Sequence, residues 1–136
     1  MKKVGRTIVA VLTGAAVWAV LWVGGTQAAA AAFPNLLAAG QPVTHTGALV
    51  GLIIYSLPLS VLAGYVAAAV AAGDRMRAVW ILAILQLALG VFVETSSWDL
   101  TPVWYHVVFL ALIVPATVSG GALRVRRRQT QPAYVT

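Results

Sequence analysis

Residues 47–72 read GALVGLIIYSLPLSVLAGYVAAAVAA and contain no charged side chain. A helix needs about 20 residues, at ~1.5 Å of rise per residue, to cross a hydrocarbon core of ~30 Å. This stretch is long enough to do so, and it therefore predicts a membrane-spanning helix. The stretch decides the fold class because other segments of the chain are also long apolar runs, each of which predicts a membrane-spanning helix.

Three further apolar runs accompany this one, and they cover residues 7–25, 78–93 and 103–123. The first run can continue helically to Ala32, because alanine is the best helix former, before Pro34 stops it. We therefore predict an all-α fold, a four-helix transmembrane bundle at 1–123 followed by a basic cytoplasmic tail at 124–136. A chain of 136 residues allows one domain rather than two.

The composition agrees with a hydrocarbon environment. Charged residues make up 9% of the chain and apolar residues 61%, whereas a soluble domain carries roughly 25% charged residues. The absence of cysteine excludes disulfides, thiolate metal sites and dithiol redox chemistry. The net charge of +6 predicts contact with anionic lipid rather than nucleic acid, because the basic residues stand in short clusters beside the apolar runs.

The basic residues also predict the orientation. With an even number of crossings, the N-terminus, the second connection and the C-terminus share one side of the membrane, and the other two connections contain no Lys or Arg. The positive-inside rule then places both termini in the cytoplasm (N-in/C-in). Compact loops and an alanine-rich composition suggest the inner membrane of a bacterium. The nine basic residues on which this orientation rests are Lys2, Lys3, Arg6, Arg75, Arg77, Arg124, Arg126, Arg127 and Arg128.

The first apolar run allows a second interpretation. A basic start, an apolar run and the alanines at 28–30 also describe a cleavable signal peptide. Cleavage there would leave three crossings and place the mature N-terminus outside. The run is long for a signal peptide, however, and it contains Trp18 and Trp22. We therefore predict four crossings, with cleavage near Ala29 as the alternative.

Small side chains recur along the second run at intervals of four residues from Ser56 to Ala72. In lipid, helices associate through close van der Waals contact, which small residues permit. We expect this face to pack against another helix, in this chain or in a partner, with a G-x-x-x-G pair at its outer end. The residues predicted to pack are Gly47, Gly51, Ser56, Ser60, Gly64 and Ala68.

Few polar residues are available for chemistry. By the predicted topology, both histidines and two of the three acidic residues fall on the outer side, and the third, Asp74, lies in the basic turn. Gln86 shares a face of the third run with Glu94. It is either a hydrogen-bonding group between helices or part of a polar path to that carboxylate. The candidate proton or ligand cluster consists of Glu94, His106, Asp99, His45 and Gln86.

A simpler interpretation stands beside this cluster. Two histidines and two carboxylates at one membrane face can pass a proton or bind an ion. Four separate interfacial residues would give the same pattern. The spacing matches no metal-ligand motif, and no nucleophile–base arrangement, phosphate-binding glycine loop or haem attachment motif occurs. We therefore predict neither a catalytic site nor a metal site, and the sequence leaves the cofactor open.

The function expected from these patterns is that of a non-enzymatic membrane module, an accessory subunit or scaffold that packs on itself or on a larger membrane complex. The alternative is a small transporter or channel for a proton-coupled solute or ion, which would use Glu94 and His106. Such a protein needs a polar path at the middle of the membrane. The polar side chains available there are Gln86, Ser56, Ser60 and Thr117.

Overall fold

The structure is a computed structural model that describes residues 2–37, 42–43 and 45–130, with side chains up to Arg127. The described residues contain helices and no strand, so the predicted all-α class is confirmed. The elements are α1 (Lys2–Ala32), α2 (Pro34–Leu37), α3 (Thr46–Val70), α4 (Arg75–Ser96), a 3₁₀ turn (Trp98–Leu100) and α5 (Val103–Thr130).

Four of the described helices, α1, α3, α4 and α5, are long and apolar enough to cross a membrane. Three of them are longer than the apolar runs that predicted them, and α4 (Arg75–Ser96) exceeds the run at 78–93 at both ends. α1 begins at Lys2 and ends at Ala32, and α5 continues to Thr130. Lysine, arginine and alanine are good helix formers, so these helices extend into the polar flanks. The predicted tail at 124–136 is therefore helical through residue 130, and residues 131–136 lie outside the described residues.

The closest helix pair is α3 with α5, whose backbones meet. A Cβ atom on Gly64 would collide with the carbonyl oxygen of Thr117, and one on Gly120 would collide with the carbonyl oxygen of Val61. Each helix thus presents a glycine to the backbone of the other. Small residues permit this approach, which gains dispersion energy along the whole crossing.

α1 contributes to the same core. Ala10 and Trp18 are buried in it, and Gly14 faces the carbonyl oxygen of Ala63 on α3, which lies 3.0 Å from the position of a Cβ. Nearer the end of α1, the Tyr55 hydroxyl donates a hydrogen bond of 2.7 Å to a carbonyl oxygen of that helix. The first helix is therefore an integral layer of the bundle in this structure.

Arginines satisfy the carbonyl end of α3. The last carbonyls of a helix have no donor within it. Arg6 Nε donates to the Val70 carbonyl at 2.8 Å, and Arg75 Nη1 donates to the Ala68 carbonyl at 2.5 Å. We call the end of the bundle at which α3 ends the basic end. It holds Lys2, Lys3, Arg6, Arg75, Arg77, Arg124, Arg126 and Arg127. The opposite end is called the aromatic end, and it holds Phe33, Trp98, Trp104 and Tyr105.

Candidate functional site

Glu94 and His106 are in direct contact at the aromatic end. Glu94 lies in the last turn of α4 and His106 in the first turn of α5, so the hairpin between these helices brings the two side chains together. Glu94 Oε2 faces His106 Nδ1 within hydrogen-bonding distance. Glu94 is 5% exposed and His106 is 1% exposed. The α4–α5 hairpin therefore closes on a buried carboxylate–imidazole pair.

The second ring nitrogen of His106 faces the connection between the helices. Nε2 lies 3.0 Å from the Thr101 hydroxyl oxygen and 3.2 Å from the Trp98 carbonyl oxygen. A carbonyl oxygen can only accept, so we assign a proton to Nε2. The Trp98 indole also stacks on the imidazole, with ring centroids 4.4 Å apart and 7° between the ring planes. Trp98 therefore supplies both an acceptor and a cover for His106.

This arrangement places one further proton between Glu94 and His106. With Nε2 protonated, the contact is either a carboxylate facing an imidazolium or a carboxylic acid facing a neutral imidazole. Both forms contain the same number of protons and have no net charge. No Lys or Arg occurs in residues 78–123, so neither side chain has a cationic competitor on its own helix at this depth. Chemically, the pair can share one proton across the contact between α4 and α5.

Asp99 and His45 take other positions. Asp99 is exposed in the 3₁₀ turn. His45 is also exposed, and its Nδ1 accepts a hydrogen bond of 3.0 Å from the backbone N–H of Ala48, which caps α3. Within the described ranges there is no group of three or more His, Cys, Asp or Glu side chains that could hold a metal ion. Of the four polar residues that were predicted to lie on the outer side, the structure brings together Glu94 and His106.

Gln86 makes a second polar contact between the same two helices. The Thr117 hydroxyl donates to Gln86 Oε1 at 2.5 Å, and both side chains are fully buried. The amide nitrogen Nε2 of Gln86 has no partner among the described residues. Gln86 precedes Glu94 by eight positions on α4, which corresponds to ~12 Å along the helix axis.

Apolar packing separates these two polar contacts. Gly90 lies between Gln86 and Glu94 on the buried face of α4. A Cβ atom there would lie 3.0 Å from Leu110 Cδ2 and 3.2 Å from Ile113 Cδ1, so these α5 side chains fill the space beside the glycine. Along the α4–α5 interface, the described residues therefore leave no continuous polar route between Gln86 and Glu94.

The face of α3 that was expected to pack divides into two parts. Ser56, Ser60, Gly64 and Ala68 are all buried inside the bundle. By contrast, Gly47 and Gly51 are exposed, and no described atom outside the local backbone lies within 4 Å of a Cβ placed on Gly51. The two glycines border a groove of about 470 Å³ between α3 and the end of α1.

Sequence reasoning missed two neighbours of His106. Thr101 directly precedes Pro102 at the start of α5, and hydroxyl side chains before a helix often bind polar groups of its first turn. That position was the available signal. The role of Trp98 had no comparable signal, because it depends on the path of the 3₁₀ turn, which directs both the carbonyl and the indole towards His106.

Comparison of the chain with protein-family models, with curated proteins and with solved structures returned no match.

Proposed function

We propose that the chain is a multi-pass protein of a bacterial inner membrane and serves as an accessory subunit or scaffold, packing on itself or on a larger membrane complex. Its four long apolar helices would cross the bilayer, with the basic end and both termini in the cytoplasm. The segregation of every Lys and Arg into the three segments of that end supports this orientation.

The observation that carries the scaffold proposal is the packing of Leu110 and Ile113 against Gly90. A transporter or channel needs polar groups along the route of its solute or ion. Here the two polar contacts of the α4–α5 interface are separated by hydrocarbon. Each of them is better explained as a hydrogen bond that joins neighbouring helices in a medium without water.

The exposed glycines of α3 support docking on the outside of the bundle. Gly47 and Gly51 are free of the close backbone contact that buries Gly64. A helix of a second copy or of another membrane protein could approach this face closely. Among the described residues no other helix packs on Gly51, so the small side chain at this position is better explained by assembly than by the stability of the single chain.

Assembly can be tested separately from folding. We expect Gly51→Leu to reduce assembly several-fold and to leave the fold intact, because the described chain leaves space beside Gly51. Gly24→Leu is the matched control, since Gly24 is also exposed and has no described neighbour within 4 Å. The measurement is size-exclusion chromatography of tagged native protein in mild detergent, with mass spectrometry of the proteins that elute with it. An equal share of oligomer or complex in the two variants would contradict the proposed docking face.

The orientation has its own test. Reporters inserted at Gly73 should be read as cytoplasmic and reporters at Ser97 as external, since these turns lie at opposite ends of α4. The reverse pattern, or the same side for both, would contradict the four-span N-in/C-in topology. Sequencing of the mature N-terminus in the same preparation distinguishes an intact α1 from a signal peptide cleaved near Ala29.

A proton-coupled transporter or channel is the second candidate, and the burial of the Glu94–His106 pair favours it. Ionisable residues inside membrane spans commonly mark proton or ion pathways. Liposomes that contain the purified protein and a pH-sensitive dye separate the two proposals. A transporter predicts a proton flux that Glu94→Gln abolishes. A scaffold predicts that liposomes with the wild type or with Glu94→Gln show the same proton flux as liposomes without protein.

A further inference from the structure

A groove of about 380 Å³ opens at the basic end, between the first turns of α1 and the beginning of α4. Its rim carries the side chains of Lys3, Asp74 and Arg77, all of which are exposed. The turn between α3 and α4 forms its floor at Gly73, where a left-handed φ of 75° lets the chain reverse tightly. The Lys3 side chain packs across this turn, with Cδ 3.6 Å from the position of a Cβ on Gly73.

The polarity of the groove changes along its length. Lys3 and Arg77 mark the charged end. Ile8 and Ile81 line the groove five and four residues further along their helices, which is ~6–8 Å closer to the aromatic end. These isoleucines are 53% and 41% exposed, so hydrocarbon lies open next to the cationic rim.

The charges at the rim do not cancel. Asp74 is the acidic residue of the groove, and its Oδ1 accepts a hydrogen bond of 3.1 Å from the backbone N–H of Arg77, which caps α4. The cap satisfies part of that carboxylate through the backbone. Lys3 and Arg77 contribute two positive charges and Asp74 one negative charge, so the lining has a net charge of +1.

We propose that this groove binds one anionic phospholipid, with the phosphate between Lys3 and Arg77 and an acyl chain along Val4, Ile8 and Ile81. The cationic rim selects an anionic headgroup, and the apolar walls select a lipid over free phosphate. The proposal rests on the membrane location proposed above. It adds a specific site to the general attraction between basic clusters and the lipid surface.

Native mass spectrometry of the full chain in detergent tests the ligand class. The three probes are phosphatidylglycerol, phosphatidylcholine and soluble glycerol phosphate at equal concentrations. We expect retained adducts with phosphatidylglycerol, several-fold fewer with phosphatidylcholine and none with glycerol phosphate. Equal retention of the two lipids would overturn the anionic selectivity. Equal retention of glycerol phosphate would identify a phosphate site without an acyl chain and would also overturn the proposal.

Charge variants test the location of the site. Lys3→Gln/Arg77→Gln should weaken phosphatidylglycerol binding roughly tenfold, as expected for two headgroup contacts partly offset by Asp74. Lys2→Gln/Arg126→Gln is the matched control, because it removes the same charge from exposed residues outside the groove. Glutamine keeps a high helix propensity, and circular dichroism checks that both proteins fold. Equal weakening in the two variants would overturn the groove as a specific site.

Further measurements distinguish a failure of the groove proposal from a folding defect and from a failure of the proposed function. If the double variant fails to fold, the single Arg77→Gln should still weaken binding several-fold, because the α4 cap uses the backbone N–H and not the guanidinium of Arg77. If selectivity is absent while the reporters at Gly73 and Ser97 read as predicted, the groove proposal fails and the proposed function stands. A chain that carbonate washing removes from membranes would overturn both.

Discussion

α5 contacts two neighbours in different ways. Against α3, glycines meet backbone, and Gly64 and Gly120 each leave no room for a Cβ. Against α4, the closest contacts involve side chains, such as Leu110 and Ile113 beside Gly90 and the buried Glu94–His106 contact. A backbone carbonyl cannot rotate away from an added atom, whereas a polar side chain can be replaced by another of similar size. The first interface should therefore depend on steric fit, and the second on the strength of particular hydrogen bonds.

The largest effect is expected at the glycine crossing. Gly64→Leu should prevent α3 and α5 from meeting and should cost about 3 kcal/mol or more of the free energy of unfolding, as severe overpacking does. Leu62→Ala is the control, because Leu62 lies two residues away and is 42% exposed. Unfolding by SDS titration in mixed micelles measures both variants. Equal losses would mean that the crossing adds no steric constraint.

A smaller effect is expected for the carboxylate–imidazole pair. In a double-mutant cycle of Glu94→Ala and His106→Ala, we expect a coupling energy of about 2 kcal/mol, because each single variant leaves the other polar group buried without its partner. The free energy of unfolding of the wild type, both single variants and the double variant completes the cycle. Additive losses, with a coupling energy near zero, would show that the contact contributes nothing specific.

The smallest effect is expected for the neutral pair deeper in the same interface. A cycle of Gln86→Leu and Thr117→Val should give a coupling energy of about 0.6 kcal/mol, the usual size for a hydrogen bond between membrane helices. Both partners are uncharged, and Thr117 forms a hydrogen bond with Gln86 Oε1 but not with Gln86 Nε2. A coupling energy larger than that of Glu94 and His106 would reverse the ranking of the two contacts.

Much of the fold follows from local sequence patterns. Each of the four long helices could be predicted because an apolar run of sufficient length needs no information about its neighbours. The helix ends were less predictable, since Lys2 and Thr130 continue helices beyond the apolar segments. The role of Gly64 against α5 required the relative rotation of two helices separated by a long stretch of chain. The spacing of small residues along one helix does not predict how that helix is rotated relative to its partner.

The candidate site was only partly accessible to sequence reasoning. Glu94 and His106 stand at the two ends of one short connection, so their proximity follows from a hairpin. His45 and Asp99 looked equivalent to them by residue type, but the structure uses His45 as a helix cap and leaves Asp99 exposed. The apolar packing at Gly90 could not be found from sequence, because it requires knowing which side chains of α5 face α4.

The glycine crossing has a consequence for how the chain is made. Residues 64 and 120 are more than fifty positions apart, so the ribosome completes α3 and α4 before the close partner of α3 exists. Until α5 is synthesised, the face of α3 that contains Gly64 lacks its packing partner, and α4 lacks the second helix of its hairpin. α5, which is synthesised after α1, α3 and α4, therefore completes the packing of these four helices. A nascent chain that stops short of α5 would present an unfinished surface to cellular quality control.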